Sequence, residues 1–199
     1  KLEPAHAGAP FYLANHYTRL GDYKRAASYY DKAIEADPRN SPAWMLYLGA
    51  LLHTDATDPA IMEHLKAAVR QFPGHPVFRT LLIQWLATSK DVAGGDPQEA
   101  LRLAQQLTEE QRIPPHLSVL ALALAANDDF EQAAAIQEEV VTAAMWSMPG
   151  EADRLAAMLA TYQEGKLPSA HDLIPWPLFQ VPPFDGAGPF RDYPASNPY

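Results

Sequence analysis

Residues 13–38 set the pattern. Leu13 and Tyr17 stand four apart on one predicted helix, and Ala26, Tyr30 and Ala33 form an i, i+4, i+7 apolar stripe on the next. Gly21 and Asp22 punctuate the pair. Glycine can close one helix in a left-handed conformation and Asp can cap the next. The small Ala26 and Ala33 allow close helix approach, tyrosines fill the space beside them, and Pro38 ends the second helix. Such a pair leaves one apolar face uncovered, so it requires neighbours of the same kind.

The same rhythm recurs down the chain. Ser41-Pro42 reads as a helix start with the serine hydroxyl as cap, followed by Trp44, Leu48, Leu51 and Leu52 on a packing side. Asp58-Pro59 opens a helix carrying Ile61, Leu65 and Ala68, which Phe72-Pro73-Gly74 stops. Pro76 begins a helix with Leu81, Leu82, Trp85 and Leu86. A long polar connection, residues 88–96, leads to Asp96-Pro97-Gln98-Glu99, the signature of a capping box, and to the stripe Ala100, Ala104, Leu107. Gly94-Gly95 in that connection lacks the Gly-Lys-Ser/Thr ending of a phosphate loop and reads as a plain flexible turn.

Pro114-Pro115 starts a further helix lined by Leu117, Leu120 and Leu124. Asn127-Asp128-Asp129-Phe130 makes its turn, and Ala133, Gln137 and Val140 follow. A last helix over 151–164 carries Leu155, Met158, Leu159 and Tyr162 on one side, with Gly165 as terminator. Met145, Trp146 and Met148 are expected in the core beside it, and residues 1–10 are expected as an extended lead.

These features resemble a tetratricopeptide repeat, a unit of about 34 residues. With Pro38 in the family's closing place, its consensus positions fall on Leu13, Ala14, Tyr17, Gly21, Tyr23, Ala26, Tyr30 and Ala33. Pro10 and Ala14 depart from the usual Trp and Gly. A second repeat keeps Leu48, Gly49, Ile61, Leu65, Ala68 and Pro73 at family offsets, with Ala56 in place of the turn glycine. In the last pair Gln137 replaces the usual aromatic.

The resemblance implies an all-α, right-handed α-solenoid of about four helix pairs plus a capping helix. Repeats are expected at about 7–40, 41–75, 76–113 and 114–147, with the cap at 149–165. The repeat domain is then 1–165 and an extended Pro/aromatic-rich tail 166–199. First-helix side chains line the concave groove in this family. That places Phe11, Asn15 and Thr18, then Leu46, Ala50 and His53, then Thr80 and Gln84, and finally Ser118 and Leu122 in a neutral, partly apolar groove. Some family members hold a C-terminal carboxylate with Lys, Asn and Arg. Here only Asn15 matches, because Phe11, Val77 and Leu81 stand at the basic places. Asn15 is left as a groove hydrogen-bonder for a peptide backbone, or as a solvated side chain.

Charge and composition narrow the partners. The formal net charge of -9 argues against nucleic acid and anionic membranes, which need a basic face. With no cysteine, disulfides, thiolate metal sites and cysteine nucleophiles are excluded. The longest apolar run, 119–126, is far short of the roughly 20 residues that span a bilayer. The chain does not begin with Met, so a processed or truncated form is expected, with an exported, periplasmic place favoured over the cytoplasm. The histidines have no HExxH-like spacing, and neighbouring carboxylates such as Glu109-Glu110 point in different directions on a helix. No catalytic, cofactor or metal residue is expected.

The tail differs in kind. Eight of the 32 residues from 168 to 199 are proline, which argues against helix and central strand, and six are aromatic, which ordinary spacer lacks. Such a segment is ordered only against a surface that also satisfies its backbone. Trp176, Phe179, Phe184, Phe190 and Tyr193 are the expected contacts, with a partner favoured over the chain's own repeats.

The sequence therefore reads as a noncatalytic interaction or assembly subunit. Its groove would bind an extended segment of a protein or peptide, and its tail would clasp a larger complex. Two alternatives stand beside this: an accessory subunit or fragment of an enzyme, such as an oxidoreductase, or of a secretion complex, and a self-docked tail that regulates its own groove.

Overall fold

The computed structural model describes residues 5–55, 58–88, 94–147, 149–168, 173 and 179–181. Among them are the helices α1 Ala5–Arg19, α2 Tyr23–Ala36, α3 Ser41–Thr54, α4 Ala60–Gln71, α5 Pro76–Thr88, α6 Pro97–Glu110, α7 Pro114–Ala126, α8 Phe130–Ser147 and α9 Ala152–Gln163. A 3-10 turn, Pro149–Glu151, precedes α9, and no strand occurs among the described residues. The fold is all-α. Ala56, Met148, residues 89–93 of the long connection, and Trp176, Phe184, Phe190 and Tyr193 of the tail lie outside the described residues.

Two compact units divide the chain. The first holds α1–α4 and residues 179–181; the second holds α5–α9 and Leu173.

The second-helix stripes are buried in both units. Ala26, Tyr30 and Ala33 on α2 and Ile61, Leu65 and Ala68 on α4 are buried in the first unit, as are Ala100, Ala104 and Leu107 on α6 and Ala133, Gln137 and Val140 on α8 in the second. Each stripe is an i, i+4, i+7 set, so one face of each helix is buried along its length. In the first unit Phe11, Ala14, Ala26, Ala27, Tyr30, Ala33, Ile34, Ala43, Leu46, Tyr47 and Ala50 make one continuous cluster. Helix α9 closes against α8 with Leu155, Met158 and Tyr162.

Turns follow the chemistry of their residues. Gly21 has φ +74°, the left-handed conformation that ends α1, and the Asp22 carboxylate accepts the Arg25 amide at 3.1 Å to cap α2. That backbone bond, and then the Arg25 guanidinium, hold the Asp22 carboxyl below its ordinary range. At the α7–α8 turn Asp128 takes the same conformation, φ +64°, without glycine, and Asp129 caps the Gln132 amide at 3.2 Å. Asp tolerates this region because its short polar side chain can bond locally.

Several expectations are corrected. Residues 5–10, expected as an extended lead, are helical, with Pro10 inside α1; its ring fits helical φ and forgoes one backbone bond. Leu13 is 43 % exposed, because the buried face of α1 runs through Phe11, Ala14 and Asn15. The cap of α3 is Asn40, not Ser41: the buried Asn40 side chain accepts the Ala43 amide at 2.9 Å. Asp96 caps α6 at the Glu99 amide, 3.0 Å, but the capping box is not reciprocal, since both Glu99 oxygens take Arg102 at 2.7 Å. Met145 and Trp146, expected in the core, are 65 % and 89 % exposed. The α8 stripe runs 133, 137, 140, 144, and the next two residues turn away from it.

Candidate protein-binding surface

The first-helix positions separate into residues built into the core and residues that reach solvent. Phe11 is buried with its ring edge-on to Tyr30, centroids 5.9 Å apart. Asn15 is buried, and its side-chain oxygen accepts the Tyr30 hydroxyl at 2.7 Å. Thr18 donates to the Ala14 carbonyl at 3.0 Å and lies 3.2 Å from the same tyrosine hydroxyl. Asn15 and Thr18 thus serve a polar knot that fixes Tyr30 between α1 and α2. Leu46 and Ala50 belong to the same core cluster as Phe11. His53 is exposed, its ring stacked on Tyr23 at 4.1 Å with an interplanar angle of 8°.

In the second unit Thr80, Gln84 and Ser118 are half-buried and Leu122 is buried. Thr80 donates to the Val77 carbonyl at 2.9 Å, and the Gln84 carbonyl accepts Thr88 at 2.8 Å.

Of the predicted tail contacts, Phe179 is described, and it is 4 % exposed. Its side chain sits on Gly49 of α3: a Cβ built at Gly49 would lie 2.6 Å from Phe179 Cβ and Cγ and 2.8 Å from Cδ1. Val181 packs against the first unit's core cluster, and Gln180 between them is exposed. Sequence reasoning placed Gly49 at a family offset but did not name it as a contact residue. The available signal was a glycine in a helix interior, which is about 1 kcal/mol worse than alanine there and marks a close approach.

Burial sets the electrostatics. Tyr47 is pushed up to about 12, first by burial and then by the nearby Asp31 carboxylate. Burial also raises Tyr30 and Tyr162 above the ordinary phenol range. A phenol that ionises less readily folded than unfolded adds stability that is complete below the ordinary phenol value of 10.0 and is lost as pH rises from there through the folded value. The expected result is loss of helix ellipticity between pH 10 and about 12, at about 1.4 kcal/mol per pH unit for each buried tyrosine, with the absorbance of Tyr30, Tyr47 and Tyr162 rising in that transition rather than before it.

Among the described residues, no three or more His, Asp or Glu side chains gather as a metal site, and no helix is long and apolar enough to cross a membrane. The family model of the tetratricopeptide repeat matches residues 11–76 and 91–146, more than half of the chain. This chain belongs to the tetratricopeptide repeat family. Tetratricopeptide repeats generally mediate protein–protein interaction or assembly, and their fold is typically a noncatalytic scaffold. Among curated proteins no match is found. Within this tetratricopeptide repeat protein, the second-helix stripes carry the family's small and aromatic places, while Gly49 of α3 holds a residue from far along the chain.

Proposed function

We propose that this protein is a noncatalytic interaction or assembly subunit whose first-helix faces bind an extended segment of a partner protein. One observation carries the reading: a short peptide segment, residues 179–181, already lies on the first unit with Phe179 buried on α3 and Val181 on the core cluster. Apolar side chains held in pockets beside a helical scaffold are how such modules gain both affinity and selectivity. The formal charge of -9 favours a partner that is neutral or basic along the bound stretch. Of the expected groove residues, half-buried Thr80, Gln84 and Ser118 and exposed His53 have surface to offer, whereas Phe11, Asn15, Leu46, Ala50 and Leu122 act by shaping what lies above them.

The test is selection of linear peptides on the full chain carrying Phe179→Ala, followed by mapping of bound peptides through backbone amide resonances. The expected outcome is enrichment of peptides that bind one to one and shift α1 and α3 resonances. Absence of any enriched linear peptide contradicts the proposal.

A further inference from the structure

We propose that the space above Gly49 is a binding site for the aromatic side chain of a peptide segment, and that Phe179 is its intramolecular occupant, so the chain's own tail competes with a partner for α3. The inference rests on the interaction role proposed above and names the ligand chemistry of its first unit.

Four observations support it. Gly49 sits in the middle of α3 at the place where the family usually carries glycine, so the helix presents no side chain there and leaves its backbone open to a close approach. The atoms that a Cβ would strike are the Cβ and Cγ of Phe179 at 2.6 Å, the root of that side chain rather than its mobile end, so only glycine admits the ring at this depth. The equivalent place in α1 is Ala14, whose methyl is fully buried in the core cluster beneath α2; α4 touches α3 far less extensively than α2 touches α1, which leaves room on α3 for a ring from elsewhere. Lastly, Phe179 and Val181 face the helices while Gln180 faces solvent, which defines the ligand as an aromatic residue followed two places later by a β-branched aliphatic one.

A tethered occupant acts at a high effective concentration and lowers the apparent affinity of any free competitor by the fraction of time it fills the site.

The experiment uses the full chain in four forms, wild type, Phe179→Ala, Gly49→Ala and the double variant. The probe is a fluorescent peptide of residues 175–185, PWPLFQVPPFD, beside a control peptide with alanine at the Phe179 position. By fluorescence polarisation the Phe179→Ala chain is expected to bind the probe on the order of tenfold or more tighter than wild type, and to ignore the control. The double variant is expected to bind neither while keeping its helix content, and Gly49→Ala alone is expected to speed hydrogen exchange at residues 179–181. Equal probe affinity in wild type and Phe179→Ala overturns the proposal, as does unchanged exchange at 179–181 in Gly49→Ala. Should Gly49→Ala lose helix content, the control peptide decides in its place: equal binding of probe and control by the Phe179→Ala chain overturns the site. If that chain binds selected linear peptides but not the probe, the aromatic site fails and the interaction role stands; if it binds neither, both fail.

Discussion

Replacing Tyr30 by alanine is expected to cost the first unit about 3–5 kcal/mol, the range for removing a large buried aromatic. Tyr30 is fully buried on α2, meets the Phe11 ring edge-on at 5.9 Å, and donates its hydroxyl to Asn15 at 2.7 Å. Truncation therefore opens a cavity and also leaves the buried Asn15 oxygen without its donor. Because domains are stable by only about 5–15 kcal/mol, this one change removes a large share of the margin. Tyr30→Phe isolates the polar part: it keeps the ring and is expected to cost about 1–3 kcal/mol, the penalty for a buried acceptor left unsatisfied. Urea unfolding followed at resonances of α1 and α2 measures both. A Tyr30→Phe variant as stable as wild type would show that the Asn15 bond contributes nothing.

Tyr162 gives the opposite result for the same conservative change. It is buried on α9, yet its hydroxyl has no hydrogen-bond partner among the described residues. Tyr162→Ala is expected to cost about 3–5 kcal/mol by loss of the ring. Tyr162→Phe removes an unpaired buried hydroxyl and is expected to be neutral or to stabilise by about 1 kcal/mol. The same unfolding experiment, read at α8 and α9, gives the sign. A Tyr162→Phe variant destabilised as much as Tyr30→Phe would mean that the hydroxyl has a partner, such as an ordered water, that fixes it.

The two tyrosines also show what the sequence could and could not convey. Both lie on apolar stripes read directly from spacing, and the stripes of α2, α4, α6 and α8 are buried in the structure. Spacing alone decides these, because residues three and four apart share one face of a helix. It does not reveal which hydroxyl finds a partner, since Asn15 comes from another helix and at the α9 site none arrives among the described residues.

First helices were less legible. Hydropathy favours Leu13 as a buried residue of α1, but the phase set by Phe11, Ala14 and Asn15 turns it outward. Trp146 fails for the same reason: hydropathy places it inside, whereas the phase of α8 places it at 89 % exposure. Polar residues took places that spacing alone did not explain. Asn15, expected to face a ligand, has its oxygen committed to Tyr30, while Gln137, read on the α8 stripe in an aromatic's place, is fully buried there and donates to the Leu155 carbonyl at 3.1 Å.

The α3 contact was half visible. A mid-helix glycine announces a close approach without naming the visitor, and the aromatic tail announces a need for a surface without naming which one. Joining Gly49 to Phe179 required the fold, because the two are distant in the chain and no periodicity connects them.

The central claim is that α3 holds an aromatic side chain from a peptide segment, and the most direct measurement is an isotope-edited nuclear Overhauser experiment on the full chain labelled at phenylalanine and glycine. The account predicts cross-peaks between the Phe179 ring and the Gly49 α-protons whose intensity per molecule stays constant as the protein is diluted, since the contact lies within one molecule. A Phe179 ring that gives no cross-peak to Gly49, or one that appears only between differently labelled copies, contradicts it.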